Sequence, residues 1–207
     1  PGMWDMHVHV LGYEEGVMAL AAGITTVRDL ANDPVPLKRL TDQFDSGTLL
    51  GPRVIKAGLI DGHGPYAGPT KTLVTTPAEA EAAVDGFADL GYPMVKLYSS
   101  ITPDAARAAI ARAHAKGMRV GGHIPAGLTI GEAIALGYDE IQHGNFWLLS
   151  FLGPEVLGRS QTPARFTDAY SRGHEIDPDG PAARAFVAQL KAGGTVVDPT
   201  LVTFENM

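Results

Sequence analysis

Short apolar runs alternate with helix-forming segments along the whole of this 207-residue chain. The helix-forming segments carry start and stop signals. Thr76-Pro77 and Thr102-Pro103 each place a capping hydroxyl before a proline, and Gly117 follows a predicted helix end. Strands that alternate with helices of about 10–15 residues are typical of parallel βαβ units. The sequence therefore predicts an α/β protein built on a parallel sheet.

The predicted strands cover residues 4–10, 25–30, 53–59, 94–98, 119–124, 140–143 and 195–200, with an irregular Gly- and Pro-rich loop over 60–70 and a long helical crossover over 145–191. Two closures of such a sheet are open, a doubly wound open sheet with its site at one switch point, or a barrel. The polar residues of interest follow the first, fourth, fifth and sixth strands, and they converge only if the sheet closes. We therefore expect a (β/α)8 TIM barrel that is incomplete, with about seven βα units, since a full one needs about 250 residues.

Composition excludes several classes of function. The formal net charge is −7 and the basic residues are scattered, which argues against a nucleic-acid partner. Cysteine is absent, so a disulfide framework, a thiolate metal site and a cysteine nucleophile are all excluded. No apolar run approaches the roughly 18 residues of a membrane span. A small-molecule partner fits these limits, and a homo-oligomer is compatible with them.

The chain opens at Pro1 and passes almost directly into a strand. We therefore interpret residues 1–207 as one barrel domain from a longer polypeptide. A targeting segment is not visible, and the compartment is left open between cytoplasm and periplasm.

Histidines and one lysine stand where the predicted strands end. His7 and His9 are two residues apart, so on a strand they point to the same face and can grip one metal ion. His123 and His143 each follow a later strand, and in a barrel their loops share one rim with His9. A lone histidine there is usually a hydrogen-bonded core or loop residue, but neutral imidazole also suits zinc. Together the four predict a metal site.

Lys96 lies inside an apolar strand, where a lysine rarely stays without a partner. One interpretation is an ordinary salt bridge. The other is carboxylation by CO2, which makes an anionic carbamate able to bridge two metal ions about 3.5–4 Å apart. By parity Tyr98 shares the face of Lys96, where it either binds a substrate oxygen or packs. His63, in the loop after the third strand, either touches substrate or caps its own loop.

The motifs PGMWDMHVH, GITTVRDL, the GHG loop, VKLYSS, GGHIP and IQHGNF together resemble the amidohydrolase superfamily. The likeness is greatest to the branch that holds imidazolonepropionase-like enzymes and metal-dependent Xaa-Pro or Xaa-Arg dipeptidases, and it spans essentially the whole chain. The resemblance implies a barrel with two divalent metal ions, usually zinc. The residues that it implies are His7 and His9 on the first metal, carboxylated Lys96 as the bridge, His123 and His143 on the second metal, His63 and Tyr98 against substrate, and Lys96 with Tyr98 as the catalytic residues.

This chain departs from the family pattern in two ways. Family members carry a metal-binding Asp at the end of the eighth strand, whereas Asp198 belongs to the predicted seventh strand and does not match it. The small β-sandwich lobe of the family is missing too. We therefore expect residues 1–207 to be part of a larger enzyme that supplies this Asp as its proton acceptor.

The resemblance predicts a metal-dependent hydrolase that cleaves an amide or peptide bond, such as that of a dipeptide, with a metal-activated hydroxide. Hydrolysis of a lactone or phosphotriester on the same site is the alternative, and a non-catalytic barrel fragment that acts as a binding module is another. An open-sheet nucleotide-binding protein is disfavoured, because neither G-x-G-x-x-G after the first strand nor a P-loop is present.

Overall fold

The computed structural model describes residues 1–205, and all the strand pairs within them are parallel. The strands are β1 (Met3–Val8), β2 (Ile24–Asp29), β3 (Arg53–Gly62), β4 (Leu73–Val74), β5 (Met94–Leu97), β6 (Arg119–Gly122), β7 (Glu140–Gln142) and β8 (Val196–Asp198). Their order in the sheet is β1-β2-β3-β5-β6-β7-β8, with β4 paired to the far end of β3. Sequence order and sheet order therefore agree, as they do in a barrel.

Helices connect successive strands and cover the outside of the sheet. They are α1 (Tyr13–Ala21), α2 (Pro34–Asp45), α3 (Pro77–Asp89), α4 (Pro103–Ala115), α5 (Ile130–Ala135), α6 (Gly144–Phe151), α7 (Pro154–Leu157), α8 (Ala164–Arg172), α9 (Pro181–Gly193) and α10 (Leu201–Glu205), with a 3-10 turn at Gly173–Glu175. The longest of these have 13 residues. Within residues 1–205, none has the length and apolar character that crossing a bilayer requires.

The predicted helix signals act as expected. Thr76 caps α3 through a hydrogen bond from the backbone N–H of Glu79, whose carboxylate returns to the backbone of Thr76. Thr102 caps α4 in the simpler form, by accepting from the N–H of Ala105. Gly117, after the end of α4, has φ +73°, the left-handed conformation that glycine adopts without strain. These local contacts fix where each crossover helix begins and ends.

The sheet curls into a nearly closed barrel, which confirms the α/β TIM-barrel-like architecture predicted from the sequence. Its two edges are β1 and β8, and within the described residues no backbone pairing joins them. One seam of the barrel is therefore unsealed. The main core lies between the sheet and the helices, where buried alanines of α4 such as Ala105 and Ala109 let that helix approach closely.

The predicted irregular loop over residues 60–70 begins later than expected. β3 continues to Gly62, and its end pairs with β4, which the sequence analysis did not predict. The cause is the fully buried Asp61, which accepts hydrogen bonds from the N–H groups of Gly68 and Ser100 at 2.7 and 2.8 Å. This carboxylate holds the loop after β3 against the loop after β5. Because the sequence there is polar, it does not indicate that the end of β3 is buried.

Candidate active site

Four of the five predicted ligands meet at the carboxyl ends of the strands. The Nζ atom of Lys96 lies 3.3 Å from Nε2 of His7. The His7 and His143 ring centroids are 4.7 Å apart, and those of His143 and His123 are 4.9 Å apart. His9 lies at the exposed side of this group, its ring 5.7 Å from that of His7. Residues from β1, β5 and the ends of β6 and β7 thus converge as the barrel prediction requires.

The ends of β6 and β7 have an unusual backbone that serves this convergence. Gly122 has φ +130°, and a Cβ there would lie 2.2 Å from the Leu97 carbonyl oxygen and 3.0 Å from the side chain of Lys96. Only glycine therefore fits against the Leu97 carbonyl and the side chain of Lys96. His143 is one of two non-glycine residues with positive φ within residues 1–205, at φ 67°. Strain of this kind, about 1–3 kcal/mol, is common where function needs a particular orientation.

Lys96 is buried, with 1% of its surface exposed. Within residues 1–205 no carboxylate forms an ion pair with it, although Asp198 and Glu140 lie close enough to act on it electrostatically. Loss of solvent lowers the pKa of this amine to about 7, against the opposing effect of Asp198. The salt-bridge interpretation of Lys96 thus finds no direct partner among these residues. A large share of the amine is instead unprotonated and nucleophilic at neutral pH.

The histidines are held in their neutral form. Burial is the first cause in each case, and the positive charge of Lys96 adds to it. The pKa falls to about 4 for His9 and about 2 for His143, and it is lowered for His7 and well below its usual range for His123. Neutral imidazole is the form that binds metal ions.

Each of three rings is held at its Nδ1 atom. Nδ1 lies 3.3 Å from the Asp198 carboxylate in His7 and 2.8 Å from a hydroxyl oxygen in the other two, Ser99 for His123 and Thr200 for His143. An ionised carboxylate only accepts hydrogen bonds, so His7 donates from Nδ1 and keeps a lone pair on Nε2. Nε2 of His123 is buried without any hydrogen-bond partner. Nε2 of His123 is therefore free to bind a ligand, whereas Nε2 of His7 faces Nζ of Lys96 at 3.3 Å.

The donor set fits a divalent transition metal. A buried imidazole nitrogen without a partner is costly unless something binds it, and neutral imidazoles are preferred ligands of zinc. As placed, however, no three His, Asp or Glu side chains among the described residues enclose a cation. The rings supply the right chemistry at ring-to-ring distances of 4.7–5.7 Å, and a coordination shell requires them to rotate.

The two predicted substrate residues take different positions. Tyr98 stacks on the ring of His123, with centroids 3.7 Å apart, so it lies directly against the histidine group. His63 is exposed and lines a cavity of about 340 Å³ between the loops that follow β3, β5 and β6. Tyr66, Ser100 and Gln161 line it too. The structure therefore places Tyr98 at the histidine cluster and His63 in a neighbouring cavity on the rim.

Sequence reasoning missed the residues that hold the ligands. Asp5 accepts a hydrogen bond from the backbone N–H of His7, and Asp198 is the carboxylate that contacts the His7 ring. Ser99 gave no signal, because one serine after an apolar strand is common. Arg28 does give a signal, because it is a charged residue inside the apolar run TTVRDL, but the sequence analysis assigned no role to it.

Solved structures with the same fold include several hydrolases. A bottromycin amidohydrolase is 23% identical over 82% of this chain, with a TM-score of 0.63. A Xaa-Pro dipeptidase with bound methionine is 21% identical over 97% (TM-score 0.60), and a putative prolidase from Bifidobacterium longum is 25% identical over 70% (TM-score 0.54).

The chain spans 37%, 65% and 40% of the lengths of the amidohydrolase, the dipeptidase and the prolidase. No protein-family model matches the sequence, and neither does any curated protein. The neighbours carry the names of the enzyme class that the sequence motifs resemble. At these identities the likeness shows the shared fold, and the chemistry rests on the site itself.

Proposed function

We propose that this chain carries the metal centre of a hydrolase that cleaves an amide or peptide bond. The observation that carries the proposal is the unpartnered Nε2 atom of His123, buried among neutral histidines beside an unpaired lysine. Structural groups in a protein interior are usually satisfied. Several other buried polar atoms of the described residues also lack a partner, but His123 lies beside further neutral imidazoles, and a bound ion would explain that arrangement.

The ligands that we assign are His7 and His9 for one ion, His123 and His143 for a second, and Lys96 between them. The lowered pKa of Lys96 favours its modification, because the free amine is the form that attacks CO2. In that step Nζ forms a bond to the carbon of CO2, one C=O π bond opens onto its oxygen, and a proton passes from Nζ to solvent, which leaves an anionic carbamate. The product replaces a buried amine with two oxygen ligands beside the ring of His7.

Divalent metal ions in such a site supply a Lewis acid for a carbonyl oxygen and lower the pKa of water towards neutrality. The side chains contribute binding and orientation. Tyr98 stacks on the ring of His123, and we assign its hydroxyl as a donor to an oxygen of the substrate. Loss of solvent raises the pKa of Tyr98, so the hydroxyl keeps its proton at neutral pH. His63 and the cavity of about 340 Å³ accommodate the remainder of a small substrate, such as a dipeptide.

The test uses the protein expressed from its complete reading frame. Bound zinc, manganese and cobalt are measured by elemental analysis, and hydrolysis is followed on a panel of dipeptides together with one lactone and one phosphotriester. Lys96→Ala is expected to lose bound metal and about 100-fold or more in rate, because its amine is assigned to both ions.

Lys38→Ala is the matched control, since Lys38 is exposed on α2 and pairs with Asp42. Wild-type protein without bound metal, or undiminished hydrolysis by Lys96→Ala, would refute the proposal. Preference for the lactone or the phosphotriester would keep the site and change the substrate class.

A further inference from the structure

Arg28 is a buried arginine whose guanidinium connects four strands inside the barrel. It leaves β2 and donates to both oxygens of Glu140 on β7, at 2.6 and 2.5 Å. Its Nε donates to the carbonyl oxygen of Met6 on β1 at 2.7 Å, and Nη2 lies 3.5 Å from Oδ2 of Asp198 on β8. The planar fork of an arginine is suited to such directional bonding, which lysine cannot reproduce.

The contact with Met6 falls where the pairing of β1 and β2 is irregular. Asp5 pairs with Val27 and Val8 pairs with Asp29, so β1 contains one more residue than β2 over this stretch. Such a bulge changes the direction in which a side chain points. The bulge contains Met6 and His7. The Arg28 side chain donates to the Met6 carbonyl oxygen at the point where the backbone pairing of β1 with β2 is interrupted.

Asp198 ties the same arginine to the ring of His7. Its Oδ2 atom lies 3.3 Å from Nδ1 of His7 and 3.5 Å from the guanidinium of Arg28. Arg28 therefore acts on His7 from two directions, through the backbone of the preceding residue and through the carboxylate that the ring contacts. Glu140, itself held at 2.9 Å by Gln142, keeps the guanidinium in place.

We propose that Arg28 is a positioning residue for His7, and that the bulge in β1 and the Asp198 carboxylate transmit its effect. The proposal rests on the proposed function in one respect: the orientation of His7 matters for activity only if His7 binds a metal ion. Arg28 itself does not touch substrate or metal in this assignment. The purely structural reading is that Arg28 and Glu140 are a buried pair that stabilises the barrel. A buried pair is often replaceable by apolar residues without loss of stability, so the two readings can be separated.

The experiment measures the ring nitrogens of metal-free protein by long-range 1H–15N correlation, alongside chemical denaturation. The His7 signals are assigned from their loss in His7→Asn. Arg28→Met is expected to move the Nδ1 and Nε2 signals of His7, leave those of the exposed His114 in place, and lower the denaturation midpoint. The double variant Arg28→Met with Glu140→Leu is expected to recover the midpoint while the His7 signals stay displaced. Arg112→Met, which breaks a half-exposed pair with Asp85, is the control.

His7 signals that return to their wild-type position in the double variant would overturn the proposal, since Arg28 would then act through stability alone. Unchanged His7 signals in a folded Arg28→Met would overturn it as well. If the single variant does not fold, the double variant alone gives the decision. A competition titration with zinc adds a second measurement, with affinity in the double variant expected to be about 10–100-fold weaker. Wild-type protein that fails to bind zinc would refute the proposed function, while the ring signals of metal-free protein still decide the role of Arg28.

Discussion

The barrel interior holds two layers of ionisable side chains that differ in how well they are satisfied. Arg28 contacts Met94, which precedes Lys96 in β5, and Glu140, which lies at the start of β7 and precedes His143. Arg28 and Glu140 therefore form a layer nearer the amino ends of the strands. In this layer each of the three nitrogen atoms of the Arg28 guanidinium has a hydrogen-bond acceptor. In the layer at the carboxyl ends, Lys96 has no ion-pair partner among residues 1–205, and Nε2 of His123 has no hydrogen bond.

The difference separates two uses of burial. A buried ion pair whose hydrogen bonds are formed fixes the arrangement of the strands and needs no ligand. An unsatisfied group raises the free energy of the metal-free protein, and it is retained at a functional site because a ligand removes the cost on binding. The same low-dielectric interior thus makes one layer structural and the other a candidate site. Variants in the two layers should have effects of opposite sign on the stability of the metal-free protein.

The largest effect is expected from Glu140→Leu in the satisfied layer. The substitution leaves the buried Arg28 guanidinium without its main partner, which should lower the free energy of unfolding by about 3–5 kcal/mol. Denaturant unfolding of metal-free protein measures this. Asp85→Asn, which weakens a pair at the surface, should cost far less, because solvent screens that pair. Equal costs for the two variants would remove the basis of the comparison.

Lys96→Met in the unsatisfied layer should act in the opposite direction. In metal-free and CO2-free buffer at pH 8, Lys96 is protonated in the unfolded chain and loses this proton on folding, which costs free energy. A methionine at this position avoids that cost. We expect a gain on the order of 2–4 kcal/mol in the free energy of unfolding. Lys38→Met on the surface should change stability by less than about 0.5 kcal/mol. A destabilised Lys96→Met would show that the amine has a stabilising partner in the metal-free protein.

The smallest expected effect is a pH dependence of the metal-free protein. The pKa values of His7, His9, His123 and His143 are lower in the folded state than in the unfolded state, so unfolding binds protons. Their contribution to stability is complete above about pH 6.5 and declines as the pH falls below it. Stability of the metal-free protein is therefore expected to fall as the pH is lowered from 6.5 to 5.

Chemical denaturation at several pH values measures this slope. The exposed His174 lies outside this cluster, and His174→Gln is the control variant. Stability that rises on acidification from pH 6.5 to pH 5 would contradict the assignment of neutral, desolvated rings.

What the sequence could predict depended on the range of the interaction. Helix caps such as Thr76 are local, and so is the position of His123 directly after an apolar strand, so both follow from short patterns. The pairing of Arg28 with Glu140 joins residues 112 apart, and no pattern in one sequence identifies the partner. The β4 strand was missed for a related reason, since the buried Asp61 looks like a loop residue until its backbone partners are known. The ligand roles of the histidines stay predictions.

The unsealed seam has a consequence for how the protein moves. Contacts between β1 and β8 are made by side chains, through Asp198 with His7, so the two edges can separate without the loss of any ladder hydrogen bond. Opening there should therefore need less free energy than opening between β5 and β6, which share a continuous ladder. Among the described residues, His7 and His9 therefore lie beside the line along which the sheet opens most easily.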